Sequence, residues 1–127
     1  MLAERRVQAI IPTADLEVAR RFYEGVLGFE PTWVGDYAIY YGMGDGTTFG
    51  VSVSSGRASG THTQMAFITP DIDADVADLR SRGITLEEYD TPSLTTVDGI
   101  AQMGPNRAAW FRDPEGNLMG VVQLGDA

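Results

Sequence analysis

The chain has 127 residues, 43% of them hydrophobic, a size and composition that suit one compact domain with its own core. It contains no cysteine, which excludes disulfides, thiolate nucleophiles and sulfur-ligated zinc or iron, and nothing in it argues for secretion. Eighteen acidic residues against nine basic ones give a net charge of −9, which repels nucleic acid and anionic lipid and serves either solubility or the steering of a cationic small molecule.

The first twenty residues mix Glu4, Arg5, Arg6, Asp15 and Glu17 with apolar positions. Neither a signal peptide nor a membrane span is expected there, and a cytoplasmic location is the consequence. Residues 6–11 form a short apolar strand candidate interrupted by Gln8. Thr13, Ala14 and Asp15 then supply capping side chains, and Leu16, Ala19, Phe22, Tyr23, Val26 and Leu27 recur at helical spacing until Gly28 stops the helix. Residues 29–34 and 37–43 are rich in aromatic and β-branched types and are separated by Gly35-Asp36. Gly44-Asp45-Gly46 turns the chain into a last strand, 47–54, where Phe49, Val51 and Val53 alternate with Gly50 and Ser52. The first module, residues 5–54, is therefore β-α-β-β-β.

Residues 54–61 are small and polar, a natural linker. The second module, residues 62–125, restarts 56 positions on from the first: Gln64 falls on Gln8, Thr69 on Thr13, Asp71 on Asp15 and Ile72 on Leu16. Asp71 and Asp73 cap its helix, Ile72, Val76 and Leu79 make the buried stripe, and Gly83 ends it. The stretch 90–106, with Pro92, Gly99, Gly104 and Pro105, lacks clear periodicity. Loops of that length are usually functional lids or mobile segments, and a short strand around 95–97 is the alternative. Finally, residues 107–123 read as two strands joined by the turn Asp113-Pro114-Glu115-Gly116. An offset of 70 positions lays Trp110-Phe111 on Tyr40-Tyr41 and Met119-Gly120-Val121 on Phe49-Gly50-Val51. One module is written twice.

These residues carry a resemblance. Ala14-Asp15-Leu16 leading into Arg21-Phe22-Tyr23-Glu24 and Val26-Leu27-Gly28-Phe29, with Arg112-Asp113-Pro114-Glu115-Gly116-Asn117 near the end, is similar to the vicinal oxygen chelate superfamily. That superfamily groups glyoxalase I, extradiol dioxygenases, fosfomycin-modifying enzymes and bleomycin resistance proteins. The resemblance spans nearly the whole chain and implies an α+β fold, with two tandem βαβββ modules in a single domain, 1–127, forming a curved half-barrel around a cavity. It also implies a homodimer. In metal-dependent members four cavity ligands, usually His, Gln or Glu, come from the first and last strand of each module. Carried over by position, they fall on Gln8, Gly50, Gln64 and Gly120.

Glycine offers no side-chain donor, and two neutral amides compete poorly with water for a dication. The single histidine, His62, lies nearer the linker and adds no charge. No metal and no other cofactor is therefore expected, and the pattern is closest to the metal-free, bleomycin resistance-like members. By alternation Ile10, Ser52, Ala66, Ile68, Leu118 and Val122 share the face of the four family positions, while Val7, Ala9, Ile11, Met65, Phe67, Met119 and Val121 turn toward the helices. Trp110 matches a cavity-facing aromatic position of the glyoxalases, and Tyr40 is its repeat partner. The candidate ligand-binding set is Gln8, Trp33, Tyr40, Gln64 and Trp110, with no catalytic residue. Trp33 is equally suited to the core or a dimer interface, and both glutamines to being satisfied buried amides.

Three functions compete. The first is sequestration of an aromatic or cationic, antibiotic-like small molecule, for which aromatic walls and glycine floors leave room. The alternative is a glyoxalase- or dioxygenase-like lyase or isomerase, using a metal or acid/base chemistry by Glu87, Glu88, Asp90 or Asp98. No nucleophile with its base is visible. No phosphate-cradling loop or basic cluster is visible either. A third possibility is an interaction module whose cavity is filled by its own side chains.

Overall fold

The computed structural model describes residues 1–125 and divides into two compact units, Met1–Arg57 and Ala58 onward. The first unit runs β1 (Ala9–Thr13), α1 (Leu16–Arg20) continued by a π-helical stretch (Arg21–Val26), β2 (Pro31–Val34), β3 (Ala38–Gly42) and β4 (Thr48–Val53). Its four strands are ordered β1-β4-β3-β2, with β1 parallel to β4 and the other pairs antiparallel. The second unit runs β5 (Thr63–Ile68), α2 (Ile72–Ser81), β6 (Thr96–Val97), β7 (Ile100–Met103), β8 (Asn106–Arg112) and β9 (Leu118–Gln123). Its order, β5-β9-β8-β7-β6, repeats the first sheet with one extra short edge strand. Both sheets are open, and the class is α+β.

The same local chemistry starts both units. Thr13 Oγ1 accepts the Asp15 N–H at 3.2 Å and Thr69 Oγ1 accepts that of Asp71 at 3.0 Å, both threonines being buried. Each aspartate then caps its helix, Asp15 through the N–H groups of Glu17 and Val18, and Asp71 through that of Ala74. Both helices stop at a glycine with positive φ, 76° at Gly28 and 82° at Gly83. Between those caps α1 widens to i→i−5 bonding, as in Leu27 N–H to Phe22 O at 3.0 Å.

One face of each sheet meets its helix. In the first unit Ile11, Tyr23, Ile39, Tyr41, Phe49 and Val51 are fully or almost fully buried, and the Tyr23 ring lies 5.6 Å from Tyr41 and 5.5 Å from Phe49. In the second, Ile72 and Val76 of α2 are buried along with Ala109, Phe111, Met119 and Val121. Gln123 joins sheet to helix by accepting the Ile72 N–H through Oε1 at 2.8 Å.

Several boundaries differ from the sequence reading. The first strand begins at Ala9 and runs through Pro12 to Thr13, so Gln8 and Val7 precede it, and Val7 is exposed instead of facing the helix. Proline is tolerated because β1 is an edge strand, which can lose one donor. The stretch 90–106 is a chain of hairpins. Tyr89 and Thr96 are tied by three hydrogen bonds, and Asp98-Gly99, both at positive φ, turn β6 into β7. Gly104 turns β7 into β8. The short-strand alternative around 95–97 holds as β6; β7 was hidden because Ile100-Ala101-Gln102-Met103 is too short to display alternation.

Candidate functional site

On the first sheet, the face away from the helix carries one cross-strand row. Ile10 pairs with Gly50, Gly50 with Tyr40, and Tyr40 with Trp33 across a bulge in β2. The Trp33 and Tyr40 rings lie 5.3 Å apart at 45°, and Trp33 remains 53% and Ile10 49% exposed. A Cβ on Gly50 would stand 2.8 Å from Tyr40 Cε1 and 2.9 Å from Ile10 Cδ1. The aromatic ring thus rests on the glycine floor, presenting a half-exposed aromatic and aliphatic surface. Gln8, just before the row, is exposed and donates from Nε2 to Thr48 Oγ1 at 2.8 Å.

The second sheet carries the matching row, Ala66–Gly120–Trp110, in the register the repeat requires. Here the space is closed. Trp110 is 7% exposed and sits in a cluster with Ala101, Ala108 and Leu118, against which Tyr89, Leu94 and Val122 pack. Tyr89 meets the indole edge-to-face at 5.6 Å, and Glu87 N–H donates to Trp110 O at 2.8 Å. The indole Nε1–H is taken by Thr63 Oγ1 at 3.0 Å. Sequence alternation put Gln64 on this row. A register shift in β5 between Thr63 and Met65 instead brings Thr63 over Gly120, its Cγ2 lying 3.2 Å from where a Cβ would be. Thr63 and Tyr89 are therefore two residues of this face that pattern reading missed; a one-residue bulge leaves no mark in the hydropathy of so short a strand.

Of the carboxylates considered for acid/base work, Glu87 accepts Arg112 Nε at 2.5 Å and Glu88 Oε2 accepts the Thr96 hydroxyl at 2.6 Å. Both anchor the segment that covers Trp110. His62 Nδ1 lies 2.9 Å from Ser59 Oγ on the exposed linker. The turn after β8 is also structural: Asp113 Oδ1 accepts from Glu115 N and Asn117 N at 3.0 and 2.9 Å, and Asn117 Nδ2 donates to Asp113 Oδ2 at 2.7 Å.

The four family metal positions do not fit a cation. Gly50 and Gly120 lack donors, and the space above each is filled by neighbouring side chains, Ile10 and Tyr40 in one case and Thr63 in the other. Gln8 donates its Nε2 to Thr48 and has only a neutral Oε1 to offer an ion, and the described residues bring together no group of three or more His, Asp or Glu side chains that could hold one. Two neutral amides are a poor donor set for a dication.

Two copies of a βαβββ unit, each laying a glycine-centred row across the face opposite its helix, define a class of duplicated α+β proteins. The chain belongs to the Glyoxalase/Bleomycin resistance protein/Dioxygenase superfamily, whose family model matches residues 5–121. A glyoxalase/bleomycin resistance protein/dioxygenase from Alicyclobacillus acidocaldarius is similar, with a TM-score of 0.73 at 19% identity, covering 97% of this chain and 93% of that one. A superfamily member from Sphaerobacter thermophilus gives 0.72 at 28% identity, covering 95% and 98%. For the glyoxalase family protein from Enterococcus faecalis the values are 0.69, 19%, 96% and 99%. A search of curated proteins finds no match. No helix of the described residues is long and apolar enough to cross a membrane.

Proposed function

We propose that this chain is a metal-free small-molecule binding protein of its superfamily, which sequesters an aromatic or cationic, antibiotic-like ligand without transforming it. The observation that carries the reading is the Trp33–Tyr40 pair, a half-exposed stacking surface over Gly50, on a scaffold whose metal positions hold no charged donor. A flat ligand would lie on those rings, with the Gln8 amide beside it to fix orientation. Gln64 and Trp110 are the ligand candidates of the second unit, where the indole is covered and a ligand reaches it only if Tyr89 and Thr63 move aside. The net charge of −9 favours a cationic guest. The working form is a cytoplasmic homodimer.

The chain has two tryptophans, so Trp110→Phe leaves Trp33 as the sole indole reporter. Titrating that variant with a panel of aromatic and cationic natural products should quench or shift its emission saturably, and adding Tyr40→Ala should weaken the response. A flat signal across the panel rejects the binding role. Elemental analysis is the second arm: about one equivalent of zinc, nickel, iron or manganese per chain would restore the lyase, isomerase or dioxygenase reading.

A further inference from the structure

A groove of about 680 Å³ lies on the second unit, at the sheet edge where β6 and β7 meet the 92–95 turn. Its size falls within the roughly 300–1,000 Å³ usual for small-molecule sites. It involves neither Trp33 and Tyr40 nor the family metal positions, so a ligand held there is independent of one stacked on the Trp33–Tyr40 surface.

One wall is apolar, formed by Leu94, Val97 and Ile100, and Val97 is 73% exposed although it faces this space. The rest is charged or polar. Arg107 donates through Nη1 and Nη2 to the two carboxylate oxygens of Asp73, at 2.7 and 2.9 Å, so each ion is matched by the other. Asp98 differs. Its backbone carbonyl accepts Arg80 Nη2 at 2.8 Å, yet among the described residues its carboxylate has no partner. Gln102 spends Nε2 on the carbonyls of Gly104 and Asn106, at 2.9 and 3.2 Å, which leaves its Oε1 to accept. The lining therefore offers one unmatched anion and one neutral acceptor beside an aliphatic wall. Arg80 reaches the Asp98 turn from α2, outside the lining, and its Nη2 is committed to the backbone carbonyl of Asp98 and not to its carboxylate.

We infer that this groove binds an organic cation with an apolar body, its ammonium or guanidinium head at the Asp98 carboxylate and its hydrocarbon against Leu94, Val97 and Ile100, with the Gln102 carbonyl oxygen open to a polar group at the far end. A neutral or anionic molecule of equal size lacks the complement to Asp98.

The test is a titration of the full-length, ¹⁵N-labelled protein with n-hexylammonium, monitored by amide chemical shifts, with hexanol and hexanoate as matched controls. Saturable shifts are expected at Val97, Asp98, Ile100 and Gln102 with the amine, and weaker effects with both controls. Asp98→Asn should lower affinity by about two- to fivefold, the range for an exposed charge pair. Asparagine tolerates the positive φ of 52° at this turn, so that variant keeps its fold. Arg107→Gln should act in the opposite direction, raising affinity by a similar factor, because it removes the groove's cation and releases Asp73. Equal binding of hexanol, shifts confined to other residues, or an Arg107→Gln variant that binds more weakly with native spectral dispersion would each overturn the assignment.

Discussion

Gly50 and Asp113 show how single residues of this chain answer to packing and polarity. A side chain at Gly50 must displace either the rigid Tyr40 ring or the tip of Ile10, both within 3.0 Å of the missing Cβ. Gly50→Ala is expected to destabilise the protein by about 1–2 kcal/mol in urea unfolding, an overpacking penalty that should shrink in a Tyr40→Ala background. Equal penalties in both backgrounds would show that the ring is not what fills the space. Asp113 is buried, and its carboxylate accepts at least three hydrogen bonds in its turn. Asp113→Ala would leave those donors unmatched and should cost about 2–4 kcal/mol in the same assay. Both residues stand out in the sequence, but only as a blank ligand position and a turn residue. What each touches depends on Ile10 and Tyr40 in one case and on the four-residue closure to Asn117 in the other.

The first helix and the sheet beneath it share a polar link that gives the fold a predictable response to pH. Tyr41 donates to Glu24 Oε2 at 3.0 Å, while Arg20 Nε and Nη2 grip the same carboxylate at 2.7 and 3.1 Å. The Arg20 hydrogen bond, and then that of Tyr41, hold the Glu24 carboxyl below its usual range. Its contribution is therefore complete above the ordinary carboxylate pKa and disappears as pH falls through the lowered value. Burial, and after it the bond to Glu24, pushes the Tyr41 phenol far above its normal range. That second contribution is present below about pH 10, the ordinary phenol value, and fades as pH rises further. Glu24→Gln should accordingly lie furthest below the parent in urea midpoint near neutrality and converge on it in acid. A constant gap from pH 7 to pH 3 would refute the linkage. Helical spacing placed both Tyr23 and Glu24 on the right element; the partnership with Tyr41, 17 positions away, is a consequence of β3 docking under the helix.

Across the molecule, charge and duplication set the behaviour. With eighteen acidic residues against nine basic ones, and ion pairs such as Arg20–Glu24, Arg107–Asp73 and Arg112–Glu87 using three of the nine, repulsion among the remaining anions should weaken the fold at low salt. Raising ionic strength from about 20 to about 200 mM shortens the Debye length to under half, so Tm should rise by a few degrees. A fall would mean that the pairs outweigh the repulsion.

The sequence by itself determined the duplicated β-α-β-β-β order, the two caps and glycine stops, and the Gly50/Gly120 register, because these arise from spacing, turn chemistry and the absence of a side chain. Tertiary structure alone decided which of the two rows is open. The Glu87-to-Thr96 segment folds over Trp110 while Trp33 and Tyr40 stay half bare, and a bulge substitutes Thr63 for Gln64. Such outcomes turn on contacts between residues far apart in the chain and on a one-residue slip in strand pairing, neither of which periodicity records.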